Sequence, residues 1–277
     1  KLAPAGCWQG PAIRGRRGRV MAKNWTEAQA KERAFWTRIY VDKQVDIQSY
    51  MPIDSAIAID FMTKTLRRHR VELRALDGAV VADIGCGPYG ILYGLQRSRH
   101  AFARPPALIG VDPLMDFYVS SVGLLRPGGE LQLHEARAEA LPIGDASCDY
   151  VFCVNALDHM EQPARSAGEL HRILKPGGLC GVSLHTITRP FTPVRRWLKY
   201  IDSNHPHHFT VARVRAMLTE QFDDVEVTYV APMLEDQPEF ALRHAVRSPN
   251  KPMAVMRWLS TFVLQSVYLN CRKRRAR

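Results

Sequence analysis

Acidic residues are missing from both ends of this chain. Residues 1–23 carry six Lys or Arg and no Asp or Glu, and residues 272–277 carry five more and no acid. The 277 residues together hold 38 basic and 27 acidic side chains, for a net charge of +11. The two ends account for all of that excess, because residues 24–271 hold 27 of each sign. A basic protein suggests a nucleic-acid or anionic-membrane partner, but a neutral body argues against a broad basic face.

Other signals are also lacking. Six cysteines (Cys7, Cys86, Cys148, Cys153, Cys180, Cys271) form no CxxC pair and no regular framework. A disulfide scaffold and a cysteine metal site are therefore not expected, and apolar contexts such as Val151-Phe152-Cys153-Val154 point to reduced, buried thiols in a cytoplasmic protein. The first 20 residues contain no apolar core of a secretory signal, and the first methionine is Met21. Residues 1–23 are expected to be a disordered or non-native extension. The longest membrane-like stretch, Trp258–Cys271, has 14 uncharged residues, short of the ~20 that span a bilayer. It reads as a helix packed on the body, or as an interfacial helix whose basic tail makes peripheral membrane contact.

What is present is a globular composition, 46% hydrophobic and 23% charged. Residues 24–78 have helical spacing, with Thr26 and Gln29 as a capping box and Phe35, Trp36, Ile39 and Tyr40 recurring on one face. Asp54 or Ser55 caps a second helix. From residue 79 short apolar runs alternate with helical segments. Val80–Ile84, Leu108–Asp112, Leu131–His134, Tyr150–Val154 and Leu179–Leu184 are the expected strands, with helices over 91–99, 114–125 and 163–174. Thr210 caps a further helix, and Val225–Val230 and Phe240–Val246 are the last expected strands. The pattern implies an α/β fold with a mostly parallel sheet.

The strongest local signal is Asp83-Ile84-Gly85-Cys86-Gly87-Pro88-Tyr89-Gly90, a strand entering a glycine-rich turn that opens a helix. Gly85-x-Gly87-x-x-Gly90, with Asp112 22 residues beyond Gly90, also satisfies a dinucleotide fingerprint. Asp83 separates the two readings. A pyrophosphate at the turn would be opposed by a carboxylate two residues before the first glycine. S-adenosyl-L-methionine (SAM) has no phosphate, and its ammonium and sulfonium tolerate an acid.

The segment resembles the first motif of class I SAM-dependent methyltransferases. Four later stretches resemble the same family in order and spacing: Ile109–Pro113, Ala138–Ile143, Asp145–Phe152 and Leu174–Gly178. The likeness covers about residues 79–184 and is nearest to the ubiquinone- and menaquinone-biosynthesis-like branch acting on small molecules. It implies a Rossmann-like, doubly wound seven-stranded sheet with an antiparallel last strand. It also implies a methyltransferase domain over 24–249, with 24–78 as a helical cap and 250–277 as a C-terminal helix and basic tail. It implies SAM as cofactor, held by Asp83, Gly85, Cys86, Gly87, Asp112, Pro113, Ala138, Glu139 and Asn155. Asp112 would take the ribose hydroxyls, and Ala138–Ile143 would line the adenine. Many relatives have Asp where this chain has Arg137, which cannot accept a hydrogen bond from the adenine amino group.

Methyl transfer asks the protein for alignment and desolvation, and for a general base when the acceptor is a hydroxyl or an acidic carbon. His159, just after the fourth strand, is the first candidate, since histidine titrates near neutrality. His208, in the cluster Asn204–Phe209, is the second. Both also admit purely structural roles. The histidine cluster lacks the companion spacing of a zinc site. Arg189, Arg195, Arg196 and Lys199 could meet an anionic acceptor or form a solvated face, and Phe35, Trp36, Tyr40 and Tyr50 could form a lid or ordinary core. The acceptor is read as a small organic molecule, lipid-like or glycan-linked. The alternatives are an RNA methyltransferase and a non-catalytic SAM-binding-fold interaction protein. Against the first, Asn155-Ala156-Leu157-Asp158 lacks the prolines of amino-methylating nucleic-acid enzymes, and no Pro-Cys nucleophile is present.

Overall fold

The computed structural model describes residues 16–42, 55–194, 206–233 and 262–274. Its strands are β1 (Val80–Ile84), β2 (Ala107–Asp112), β3 (Leu131–Glu135), β4 (Cys148–Val154), β5 (Leu174–Ile187), β6 (Asp224–Pro232) and β7 (Leu264–Arg272). They make one seven-stranded sheet in the order β3-β2-β1-β4-β5-β7-β6. Pairings among β1 to β5 are all parallel, and β7 runs antiparallel to both β5 and β6. The helices are α1 (Arg16–Trp36), α2 (Ser55–Arg68), α3 (Gly90–Arg97), α4 (Met115–Phe117), α5 (Pro163–Ile173) and α6 (Val211–Thr219). This is the Rossmann-like architecture that the alternation implied.

Adjacent strand residues point to opposite faces, so each strand feeds two cores. Ala82, Val151 and Cys180 pack with Ala167, Leu170 and Ile173 of α5 and with Val214 and Leu218 of α6. Val81, Phe152 and Leu179 pack on the other face with Met62 and Leu66 of α2 and Ile91, Leu92 and Leu95 of α3. Helices α2 and α3 touch closely at Gly94, where a Cβ would stand 2.6 Å from the Ala58 carbonyl oxygen. At the end of α2, His69 is fully buried, and Asn270 of β7 grips it with two 2.8 Å hydrogen bonds.

Three local expectations are corrected. First, Thr26 is not a cap: α1 already begins at Arg16, so Thr26 lies inside it, and residues 16–23 are helical rather than an unstructured extension. The unbroken helical pattern through Ala22 and Lys23 outweighs the cap signal, which only marks where a helix can begin.

Second, within the expected C-terminal helix Leu264–Arg272 is a strand. It inserts between β5 and β6, and Ser266–Cys271 are all buried. A strand covered on both faces loses polar–apolar alternation and reads as a plain apolar run. The basic tail is also structural where it is described. Lys273 Nζ donates to the carbonyls of His171 and Leu174 at the end of α5, and Arg274 pairs with Asp223. Peripheral membrane contact through an interfacial helix therefore loses its vehicle over these residues. Among the described residues no helix is long and apolar enough to cross a membrane.

Third, the fifth strand, expected over Leu179–Leu184, already begins at Leu174 and runs to Ile187, with a bulge near its start. The β4–β5 register jumps from Cys148↔Leu174 to Tyr150↔Leu179. Lys175 holds both oxygens of Asp149 at 2.9 and 2.8 Å. Thr210 does cap α6, accepting from the Arg213 amide. The expected strand Phe240–Val246, and Asp54, Tyr50, Arg195, Arg196, Lys199 and His205, lie outside the described residues.

Candidate active site

The carboxyl ends of β1, β2 and β4 lie side by side at the point where the strand order reverses, the usual crevice of such sheets. The loop after β1 is fastened to β2, since Gly85 and Cys86 both donate backbone N–H groups to the Val111 carbonyl, at 2.7 and 3.3 Å. Asp112 ends β2 and completes the tie, accepting from the amides of Gly87 at 3.0 Å and Leu114 at 2.9 Å. Its carboxylate keeps lone pairs beyond those two bonds, so it can still meet a diol.

Asp83 is fully buried under this loop. Its Oδ2 accepts from the Ile91 amide at 3.0 Å, bracing the start of α3. A Cβ on Gly90, which sits at φ +49°, would stand 2.2 Å from the same oxygen. The other oxygen, Oδ1, is buried with no protein partner. Burial raises the Asp83 carboxyl to about 7, against the Ile91 hydrogen bond and with help from the charge of Asp112. Asp112 is likewise raised by burial to about 7, against its bonds to Leu114 and Gly87 and with help from Glu32 and Glu135.

A cationic cofactor fits this arrangement better than a pyrophosphate. Nothing lies within 4 Å of where a Gly87 Cβ would be, so the loop leaves a cradle at its tip. Asp112 lies beside that cradle, bonded to the Gly87 amide, and Asp83, with one unsatisfied oxygen, is buried under the same loop at Gly90. They suit an ammonium or sulfonium and oppose a doubly negative group.

The remaining cofactor residues have mixed surroundings. Cys86 is buried, and burial raises its thiol well above the usual range, so it packs as a small apolar group. Pro113 and Ala138 line the loops after β2 and β3. Glu139 accepts from the Gln162 amide at 2.9 Å and so braces the chain ahead of α5. Asn155 is exposed at φ +51° and donates its amide to the Ser183 carbonyl at 2.8 Å. Arg137 bonds Glu161, lies 3.7 Å from Glu139, and rests its guanidinium over the Trp25 ring at 4.1 Å. It ties α1 to the loops after β3 and β4.

His159 closes a short 3₁₀ turn after β4, its amide bonded to the Ala156 carbonyl at 3.0 Å. The 206–209 segment comes alongside. His207 donates its backbone N–H to the Asp158 carbonyl at 3.3 Å, and its Nε2 meets the Met160 carbonyl at 2.9 Å. Phe209 bonds to Ile187 at the end of β5. The structure thus brings the 206–209 segment, which includes His208, beside the His159 turn. His207, part of the histidine cluster but not singled out within it, makes these two contacts.

Sequence reasoning offered Trp36 and Tyr40 as part of a lid or as ordinary core, and the structure shows what they pack against. Trp36 meets Tyr89 and Tyr118 edge-on, with ring centroids 6.0 and 6.4 Å apart, and stacks on Tyr40 at 5.7 Å. These tyrosines follow the glycine loop and Asp112, so α1 roofs both. The aromatic spacing was visible in the sequence; its partners, 53 and 82 residues away in the chain, were not.

Fold and cleft together define the class, a class I SAM-dependent methyltransferase fold that takes SAM as its cofactor. Residues 82–182 match a family model described as a methyltransferase domain. The chain is 27% identical over 196 residues to a malonyl-[acyl-carrier protein] O-methyltransferase of Marinomonas sp. (strain MWYL1), covering 66% of this chain and 67% of that one. It is 36% identical over 110 residues to a ubiquinone biosynthesis O-methyltransferase of Paracidovorax citrulli (strain AAC00-1), covering 38% and 43%. A solved geranyl diphosphate C-methyltransferase from Streptomyces coelicolor A3(2) has the same fold, with a TM-score of 0.61, 13% identity and 79% of each chain covered. The matches span about half or less of the length of most of these curated relatives. The chain has a class I SAM-dependent methyltransferase fold and is related to small-molecule O-methyltransferases.

Proposed function

We propose that this chain transfers the SAM methyl group to a small, largely apolar organic acceptor, lipid-like rather than glycan-linked. The observation that carries the reading is the cleft itself. The Gly87 cradle and the Asp112 carboxylate meet at the carboxyl edge of β1 and β2, and the unsatisfied Asp83 oxygen is buried under the same loop. Bound SAM would supply an activated methyl on sulfur. The protein's part is to hold that group in line with the acceptor and to exclude water.

Asp83, Gly85, Gly87, Asp112, Pro113, Ala138 and Asn155 are proposed to hold the cofactor, with Cys86 and Glu139 shaping the loops. His159 is the proposed base for a hydroxyl acceptor, with His208 on the neighbouring segment. An apolar acceptor is favoured by Phe191 and Phe262. Both are more than a third exposed, beside the tie between Thr188 and Val263 at the carboxyl edge of β5. The likeness to O-methyltransferases supports a hydroxyl or carboxyl oxygen as the methylated atom.

The test has two arms. Calorimetric titration with SAM must show binding. Transfer of a labelled methyl should then favour a prenylated phenol or a fatty acyl carboxylate over a sugar. Labelling of RNA alone would overturn the acceptor assignment, and SAM binding without transfer to any acceptor class would favour the non-catalytic alternative.

A further inference from the structure

Helix α1 places a carboxylate on the roof of the cofactor cleft. Glu32 accepts a 2.7 Å hydrogen bond from Trp36 Nε1, and that same indole packs on Tyr89 and Tyr118. Glu32 is therefore held one hydrogen bond from a side chain that touches both cofactor loops. Its charge is felt by Tyr89, Asp112 and Tyr118, each of which it makes harder to ionise. Asp112 in turn acts on the buried Asp83, and Glu135 adds its charge at Asp112 from β3. The neighbouring cations are turned to other partners. Arg33 rests over the Phe117 ring at 4.9 Å, and Arg137 is held by Glu161, Glu139 and Trp25.

We propose that Glu32, acting with Asp83 and Asp112, makes this cleft discriminate by charge between SAM and its demethylated product, S-adenosylhomocysteine. The proposal rests on the cleft being the SAM site. The two ligands share every polar group and differ by one methyl and one positive charge. SAM carries an ammonium, a sulfonium and one carboxylate. The product carries a neutral thioether, so its ammonium and carboxylate cancel. A cleft with three carboxylates around it holds the first more strongly and loses that hold once the methyl has left. Product release is then aided by the disappearance of the charge that the roof helix attracted.

This comparison separates charge from structure. Anything Glu32 does for the placement of α1, or for the shared ammonium and carboxylate, affects both ligands alike, whereas only SAM offers its charge a sulfonium. Glu32→Gln keeps an oxygen for the Trp36 indole and removes only the charge. Glu27→Gln, on the exposed side of α1 where Glu27 pairs with Lys31, is the control.

The experiment is calorimetric titration of both ligands against the full chain and the two variants, at low and at physiological salt. Glu32→Gln is expected to weaken SAM by about three- to tenfold, as a charge lost from a partly buried site would, with the larger effect at low salt. Product affinity should stay within about twofold, and Glu27→Gln should change neither. Equal changes for both ligands, or no change for either, overturn the proposal. If wild-type protein binds neither ligand, the cofactor reading itself fails and this proposal falls with it.

Discussion

Gly87 donates its backbone N–H to Asp112 Oδ2 at 3.0 Å, so the loop after β1 and the acid that ends β2 act as one unit. Asp112→Ala removes the acceptor of this amide and of the Leu114 amide. Leaving buried donors unpaired costs about 1–3 kcal/mol each. The variant is expected to lose stability on that order in urea unfolding and to weaken SAM by about tenfold or more in calorimetry.

Gly87 and Gly90 should respond differently to alanine. At Gly90 a methyl meets Asp83 Oδ2 in a left-handed backbone conformation, so Gly90→Ala should cost on the order of 2–4 kcal/mol of stability. At Gly87 the same methyl enters open space. Gly87→Ala should cost only about 1 kcal/mol of backbone strain yet block the cofactor. Denaturant midpoints paired with SAM titrations distinguish the two.

The buried acids make cofactor binding depend on pH. Asp83 and Asp112 move from 3.8 when unperturbed to about 7 when folded. The native state therefore binds more protons than the unfolded chain between these values. The stability this contributes is full below about 4 and is lost as pH rises through 7. A cationic ligand prefers the ionised pair. SAM should thus bind more tightly as pH rises through 7, releasing protons, with a flatter profile for S-adenosylhomocysteine. Titration in buffers of different ionisation enthalpy counts the protons, and equal counts for both ligands would contradict the assignment.

His69 titrates in the opposite sense. Burial lowers it to about 4 from 6.5, against the hydrogen bond that its ring donates to Asn270 Oδ1. Its contribution is present above 6.5 and is lost as pH falls toward 4. Asn270→Ala strips partners from a buried ring nitrogen and from the His69 carbonyl. It should cost about 2–4 kcal/mol, whereas His69→Gln should flatten the acid limb of the Tm–pH curve.

Arg137 is expected to fasten the roof helix. Arg137→Ala removes the cation under Trp25 and the bonds to Glu161 and Glu139. Hydrogen exchange should quicken along α1 while β1 and β4 keep their protection. Arg137→Lys should restore this only partly, because an ammonium lacks the planar face that stacks on indole. Unchanged exchange in α1 would show that the aromatic cluster around Trp36 holds it alone.

The sequence by itself determined the central sheet and its glycine loop. Strands β1 to β4 and the residues of the first turn were legible because their signals are local: apolar runs, glycines where the loop turns, an acid at a strand end. What lay outside such signals was decided by tertiary structure. Leu264–Arg272 looked like a helix because a strand buried on both faces carries no alternation. Only its two antiparallel neighbours make it β7. Lys273 and Arg274 looked like solvated charge until α5 and Asp223 supplied their partners. Arg137 looked like a missing adenine contact. Trp25 and Glu161, both distant in sequence, make it a tie between the roof and the cleft. Local chemistry specifies which atoms can bind a cofactor, but the packing of remote segments sets the charge and the cover around them, because burial and Coulomb forces depend on distance in space and not along the chain.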